Sequence, residues 1–187
     1  MRTFVVIPPA PVVAWEEADQ HLHLDGDTDQ QAEVEAMIAA ATGTLDGPTG
    51  WLGRALGAQT LEARLDNFGC GSIRLPYPPM IEIVSVKYVD SAGVEQTVAD
   101  GNYELLGESL VSSYGVSWAT PRNQREAVRI RYRAGYEATL PAQIRAAILL
   151  MVGDLYANRA TAGPTQFGAV PMSTTVENLL APLRVWA

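Results

Sequence analysis

The chain has 187 residues, of which 48% are hydrophobic and only 18% are charged. A chain of this size can fold around its own core without disulfides, as one domain or as one domain with an insertion. The single cysteine, Cys70, excludes a disulfide within the chain and a multi-cysteine metal site. The apolar start is interrupted by three prolines, and no stretch approaches the roughly 20 apolar residues of a membrane helix. We therefore expect a protein made in the cytoplasm, with no membrane partner.

The net charge of -8 is unevenly distributed. Residues 1–50 contain nine acids and one base, whereas the remaining residues hold twelve of each sign. Such an acidic segment repels phosphate, which argues against a role in binding nucleic acid. Twelve of the thirteen bases are arginine, a bias typical either of protein interfaces or of a GC-rich genome.

The first fifty residues predict two helices. Residues 13–22 place Trp15, Ala18 and Leu22 on one face. A second helix, capped within residues 27–29, continues to about Ala41 and ends in the glycine-rich stretch 43–50. The apolar stripe of this second helix consists of Val34, Ile38 and Ala41. A short third helix is predicted over 51–56.

From Gln59 the apolar period changes to two, which predicts short antiparallel strands separated by turns. In the longest strand the phase slips at Ile83 and Val84, which indicates a bulge. Residues 90–93 form a hairpin turn. The predicted strands cover residues 59–65, 72–75, 80–90, 94–98, 103–106, 109–113 and 128–133.

Helical periodicity returns at Pro141, and the longest helix is predicted from Gln143 to about Ala162. Residues 146–152 are all apolar, so this helix must be covered on nearly every side. Thr174 and Glu177 form a capping box for a final short helix. The predicted fold class is α+β: residues 1–58 and 137–187 build a helical domain, and residues 59–136 form an inserted antiparallel β segment resembling a small sandwich or barrel.

The sequence contains no recognisable catalytic or metal-binding motif. His21 and His23 lack a third metal ligand nearby, and no histidine follows Cys70. Asp25, Asp27 and Asp29 have calcium-like spacing, but the glycine and glutamate of that motif are missing. We therefore expect no catalytic residue, metal or cofactor, and a protein that is not an enzyme.

One strand carries a basic strip, Arg129, Arg131 and Arg133. The strip could contact phosphate. The favoured interpretation is cross-strand pairing with acids such as Glu62, Glu82 or Glu104, because no aromatic residues alternate with the arginines.

Several short segments, taken in order, resemble the head–tail connector family of tailed phages, also called head-completion or adaptor proteins, in its longer branch with a β insertion. The matching segments are 15–22 (WEEADQHL), 25–27 (DGD), 53–56 (GRAL), 59–60 (QT), 75–79 (LPYPP), 84–90 (VSVKYVD), 134–136 (AGY), 140–141 (LP), 155–159 (LYANR) and 179–184 (LLAPLR). The chain departs from the family at Ala14, where a Ser or Thr cap is common, and in 43–50, which interrupts a helix that is often continuous.

The resemblance implies a structural virion protein that forms a ring, dodecameric in the virion, below the portal protein. DNA passes through the ring without sequence-specific binding, and a tail or stopper protein docks on it. The protein would lie at the head–tail interface of the virion, and in the host cytoplasm during assembly. Phages, prophages and gene transfer agents all use such proteins.

The long helix offers candidate contacts between subunits. We expect Ile144, Ile148, Met151 and Leu155 to face the chain's own core, and Leu149, Leu150 and Val152 to reach the adjacent protomer. In the alternative, the inserted sheet covers this second set.

The apolar C-terminal residues are candidates for portal contact: Leu179, Leu180, Leu183, Val185 and Trp186. Alternatively, they pack on the chain's own helical domain. Glu33 and Glu35 are candidates for acids that face the channel and keep DNA from adhering, or else form a solvated outer face.

A rival function is a β-sandwich module that binds carbohydrate on a helical base. Tyr77, Tyr103, Tyr114 and Trp118 would have to form its exposed aromatic platform.

Overall fold

The computed structural model describes residues 1–158 and 172–186. Helices and antiparallel strands both occur in this part of the chain, which confirms the α+β class. The helices are α1 (Trp15–Leu22), α2 (Gln31–Leu45), α3 (Ala142–Ala157) and α4 (Thr174–Leu180). The strands are β1 (Arg2–Ile7), β2 (Gln59–Leu65), β3 (Ile73–Arg74), β4 (Met80–Val89), β5 (Glu95–Thr97), β6 (Tyr103–Leu106), β7 (Ser109–Ser112) and β8 (Val128–Ala134).

The strands form two antiparallel sheets. The larger has the order β1-β2-β8-β4-β5, and the smaller has the order β3-β7-β6. The register of β4 against β8 shifts between Ile83 and Ser85, which confirms the predicted bulge. Strand β8 alternates between buried and outward residues, as its sequence predicts.

Two separate hydrophobic clusters hold the chain together. The helical cluster is built around buried residues of all four helices, including Ala18, Val34, Ile38, Ile148 and Val176. The sheet cluster lies on the inner face of the larger sheet and includes Leu61, Val86, Ile130, Tyr132 and Leu110. Each cluster follows the period of its own elements, 3.6 for the helices and two for the strands.

Strand β1 corrects one expectation. Residues 1–58 are predicted to supply only helices, yet residues 2–7 pair with β2 as an edge strand of the larger sheet. Four of these six residues, Thr3, Val5, Val6 and Ile7, are β-branched and therefore favour an extended backbone. Pro8 and Pro9 follow the strand rather than interrupt it.

Two helix ends and one whole helix also differ from expectation. Helix α2 continues through Gly43 to Leu45, because Leu45 extends the buried stripe of this helix. The predicted helix over 51–56 does not form, and its backbone instead caps α2: the N–H of Trp51 donates to the carbonyl of Thr44. Ser173, rather than Thr174, caps α4. The predicted continuation of α3 from 159 to 162 lies outside the described residues.

The two clusters are joined by three chain connections that meet at Gly57. These connections run from β1 to α1, from α2 to β2, and from β8 to α3. A side chain on Gly57 would lie 2.6 Å from Pro9 Cβ, in the first connection, and one on Gly135 would lie 2.1 Å from the Gly57 carbonyl oxygen. Tyr136 also donates its N–H to the carbonyl of Leu56. Glycine is therefore required where the backbones approach this closely.

Candidate assembly surfaces

Helix α3 turns a different set of residues inward from the one predicted. Ile144 and Ile148 are buried as expected, but Val152 is fully buried in the helical cluster and Leu155 is 41% exposed. Val152 lies four residues beyond Ile148 and so falls on the same face, whereas Leu155 belongs to the last turn of the helix. Val152 is therefore unavailable to a neighbouring protomer.

Leu149 and Leu150 are half-buried and pack at the edge of the helical cluster. Helix α3 packs against α1, α2 and α4, so the inserted sheet does not cover these leucines. Ala146, on the same outward side, is exposed. These residues form an uncharged strip that the described residues cover only in part.

The C-terminal segment packs mainly on its own chain. Leu180 is fully buried in the helical cluster, which corrects its assignment to portal contact, and Leu183 packs against the same cluster. Leu179 and Val185 are half-buried. Leu180 and Leu183 therefore follow the alternative prediction, in which these residues pack on the chain's own helical domain. Trp186, in contrast, is 73% exposed.

Backbone contacts fix the tail in place. The N–H of Val185 donates to the carbonyl of Leu52 at 2.9 Å, and the Nε of Arg54 donates to the carbonyl of Leu183. Gly53 adopts a left-handed conformation, with φ of +64°, and a side chain there would lie 2.5 Å from the Val185 carbonyl oxygen. A glycine is thus needed for the tail to lie against residues 52–54.

An arginine lies between two tryptophans at the end of this tail. The guanidinium carbon of Arg184 is 4.2 Å from the ring centroid of Trp51 and 3.9 Å from that of Trp186. Both distances are within the range of cation–π attraction. No periodicity in the sequence indicates this cluster, because Trp51 and Trp186 are far apart in the chain.

Glu33 and Glu35 are exposed on α2, on either side of the buried Val34. The side-chain amide of Gln31 donates to Glu35 at 2.7 Å. The outward face between the two acids carries only small residues, Ala32, Ala36, Ala39, Ala40 and Gly43. The acids therefore border an uncharged helix face that lies outside the helical cluster.

The basic strip on β8 is paired with acids, as its favoured interpretation predicts. Arg131 contacts Glu62 at 2.9 Å, and Arg133 contacts Glu82 at 2.8 Å. Arg129 contacts Glu95 rather than Glu104, which lies in the smaller sheet. Burial alone would raise the pKa of Glu62, but hydrogen bonds from Arg131 and Arg64 outweigh it and hold the pKa below its usual value.

The four aromatic residues of the rival function do not form an exposed platform. Tyr103 is buried and donates its hydroxyl to Asp100 at 2.8 Å. Trp118 stacks on Phe68 with ring centroids 4.7 Å apart, and Tyr77 is half-buried in the sheet cluster. Only Tyr114 of the four is fully exposed.

In the part of the chain that the structure describes, no group of three or more His, Cys, Asp or Glu is placed so that it could hold a metal ion. An open depression of about 490 Å³ is lined by residues including Arg2, Arg64 and Glu126. Of the helices in residues 1–158 and 172–186, none has the length and apolar character needed to cross a membrane.

Comparison with known proteins gives likenesses in structure alone. No protein-family model and no curated protein matches the sequence. The structure matches a chain in the neck of a native gene transfer agent (GTA) particle computed with C12 symmetry, at 24% identity and a TM-score of 0.69. It also matches a chain of the virion of a native GTA particle, at 22% and 0.70, and one in the neck of an empty GTA particle computed with C6 symmetry, at 23% and 0.71.

The chain shares the fold of these particle components. Each match covers 100% of this chain and 97% of the other. The helical cluster, the sheets and their connections are thus matched as one unit.

Proposed function

We propose that this chain is a non-catalytic structural subunit of a virion neck: a head–tail adaptor that forms a ring below the portal protein. The full-length likeness to neck and virion chains of GTA particles carries this proposal. The ring lets DNA pass and presents a docking surface to a tail or stopper protein. The subunit assembles in the host cytoplasm and resides at the head–tail interface of the particle.

The mass of the protein in solution tests the ring. The purified chain is measured alone and together with the portal protein of the same particle, by native mass spectrometry. We expect a complex that contains several copies of the chain per portal ring. A chain that stays monomeric and does not bind the portal would contradict the proposal.

We assign Leu149 and Leu150 to the contact between neighbouring subunits. Both are half-buried against their own helical cluster, and a head-to-tail contact that closes into a ring would cover them fully. Leu150→Asp should leave the monomer folded and prevent ring closure on the portal. The matched change Leu106→Asp, at an exposed residue of β6, should leave the ring intact.

We assign portal contact to the exposed side of the C-terminal segment, formed by Trp186 with the half-buried Leu179 and Val185. Deleting residues 176–187 would not test this contact cleanly, because it removes the buried core residues Val176 and Leu180. Substitution of Trp186 avoids that problem.

Glu33 and Glu35 are proposed to face the channel. Like charge on the channel wall would keep the DNA backbone from adhering during transit. Particles carrying Glu33→Lys and Glu35→Lys together should eject DNA more slowly or incompletely. Normal ejection would assign both acids to the outer surface instead.

A further inference from the structure

The most exposed part of the C-terminal segment is an ordered tryptophan. The preceding residues are fixed by the hydrogen bonds of Leu183 and Val185, so Trp186 projects from a held backbone. Its side chain covers one face of the Arg184 guanidinium, and the rest of it is open to solvent. Exposed, preorganised tryptophan and arginine side chains are the residues that most often dominate binding energy in protein interfaces.

Arg184 differs from most arginines of the structure in having no carboxylate partner among the described residues. Ion pairs occupy Arg2, Arg64, Arg74, Arg129, Arg131, Arg133 and Arg145. The guanidinium carbon of Arg184 lies over both tryptophan rings, so its ring contacts do not use the hydrogen-bonding capacity of its N–H groups. A guanidinium presents these edge donors in a fork that matches a carboxylate.

The net charge of the helical region limits what can bind at Arg184. Residues 8–58 and 137–187, which include all four helices, contain twelve acids and only four bases. An acid-rich tail would be repelled by this region as a whole. A segment with one carboxylate beside an apolar side chain would pair its charge with Arg184 and lay its apolar group against Trp186.

We propose that Arg184, Trp51 and Trp186 form a docking surface for such a segment of the portal protein: a single aspartate or glutamate next to an apolar residue. This inference rests on the proposed function, since it names the chemistry by which the portal recognises the chain. The carboxylate binds the edge of the Arg184 guanidinium, and the apolar group covers the exposed face of Trp186.

Binding of full-length variants to the immobilised portal ring tests this proposal. Arg184→Ala and Trp186→Ala should each weaken binding about tenfold or more, as expected for a charged hydrogen bond and an aromatic hot spot. Arg184→Lys should also weaken binding, because lysine lacks the planar fork. Wild-type binding should weaken with added salt more than that of Arg184→Ala.

Arg125 and Leu106 supply the matched controls. Arg125 is an exposed arginine without a carboxylate partner among the described residues, and Leu106 is an exposed apolar residue of β6. Alanine at either position should leave portal binding within about twofold of wild type, as expected for residues outside an interface. Circular dichroism checks that each variant is folded.

The possible outcomes separate this inference from the proposed function. If wild type binds the portal and both Arg184→Ala and Trp186→Ala bind equally well, the docking surface is wrong and the adaptor function stands. If these variants bind the portal but lose self-association, the occupant is a second copy of the chain, which also overturns the proposal. If wild type fails to bind the portal at all, both proposals fail.

Discussion

The helical and sheet regions of this molecule balance their charges in opposite ways. The sheet region, residues 1–7 and 59–136, holds nine acids and nine bases, whereas the helical region, residues 8–58 and 137–187, holds twelve acids and four bases. Of the ten ion pairs among described residues, only Arg145–Glu17 lies wholly within the helical region. The sheet region is thus neutral, whereas the helical region carries a net charge of -8.

The largest expected effect comes from breaking the joint between the two regions. In Gly135→Ala the new Cβ would lie 2.1 Å from the Gly57 carbonyl oxygen, on a backbone with φ of +118°. We expect the free energy of unfolding to fall by about 3 kcal/mol or more, since both strain and a backbone clash arise. Urea denaturation followed by circular dichroism measures this loss.

Gly69→Ala is the matched control for that change. Gly69 also has a positive φ, +71°, but no atom lies within 4 Å of an added Cβ. Strain alone should cost about 1 kcal/mol. Equal losses in the two variants would show that the close approach at Gly57 contributes nothing to stability.

Glu62→Gln should weaken the sheet region at neutral pH. Glu62 is buried and contacts both Arg64 and Arg131, so we expect a loss of about 2 kcal/mol in the free energy of unfolding at pH 7. The arginines hold the pKa of Glu62 below its usual 4.5, so its contribution is present above that pH and is lost as the pH falls through the folded value. The difference between variant and wild type should therefore shrink in acid.

A pH-independent difference between Glu62→Gln and wild type would contradict this account. It would mean that the shape of the side chain, and not its charge, stabilises the sheet. Urea denaturation at pH 7 and at pH 3.5 distinguishes the two cases.

Asp46→Asn should respond to pH in the opposite sense. Burial raises the pKa of Asp46 above 3.8, although hydrogen bonds from Leu56 and Gln59 act against the rise. The folded chain therefore holds this proton to higher pH than the unfolded chain, and wild type loses stability as the pH rises through that window. Asparagine cannot ionise, so its stability relative to wild type should increase with pH, by up to about 1 kcal/mol.

The contact with Gln59 gives a structural reason to expect that Asp46→Asn raises the free energy of unfolding rather than lowers it. The Nε2 of Gln59 donates to both carboxylate oxygens of Asp46, while the buried Oε1 of Gln59 has no hydrogen-bond partner among the described residues. If the Gln59 amide flips so that its oxygen and nitrogen exchange places, the oxygen can accept a hydrogen bond from an asparagine amide at position 46. Unfolding curves from pH 3.5 to 7 test the trend. A stability difference that falls as the pH rises would reject it.

The smallest effect is expected at an exposed ion pair of the smaller sheet. Arg74 and Glu108 are 3.1 Å apart, but both side chains are well exposed. Arg74→Ala should change the free energy of unfolding by less than about 0.5 kcal/mol. A larger loss would mean that the sheet region depends on its surface pairs as strongly as on Glu62.

Local patterns were sufficient for most of the elements. The stripe of Val34, Ile38 and Ala41 and the alternation in β8 report burial directly, because one face of each element meets a core. Which face of α3 points to the core was harder to predict. All residues from 146 to 152 are apolar, so periodicity cannot distinguish Val152 from Met151, and only packing against α1, α2 and α4 decides between them.

The candidate surfaces were predictable only in part. The position of Trp186 depends on hydrogen bonds between residues 52–54 and the tail, and Leu180 is buried by other helices; both are contacts between distant parts of the chain. The Arg184 cluster likewise needs Trp51 from the other end of the sequence. The β-branched residues of β1 favour a strand, but the prolines that follow them made the segment resemble an irregular start of the chain.

The meeting of three backbone connections at Gly57 has a mechanical consequence. Twisting the helical region against the sheet region would press the backbone of Gly135 onto that of Gly57, and glycine has no side chain that could rotate to relieve the contact. A pull on one region is shared by three parallel covalent paths instead of passing through a single linker. The joint is therefore stiff, and torque applied at one end of the subunit is delivered to the other.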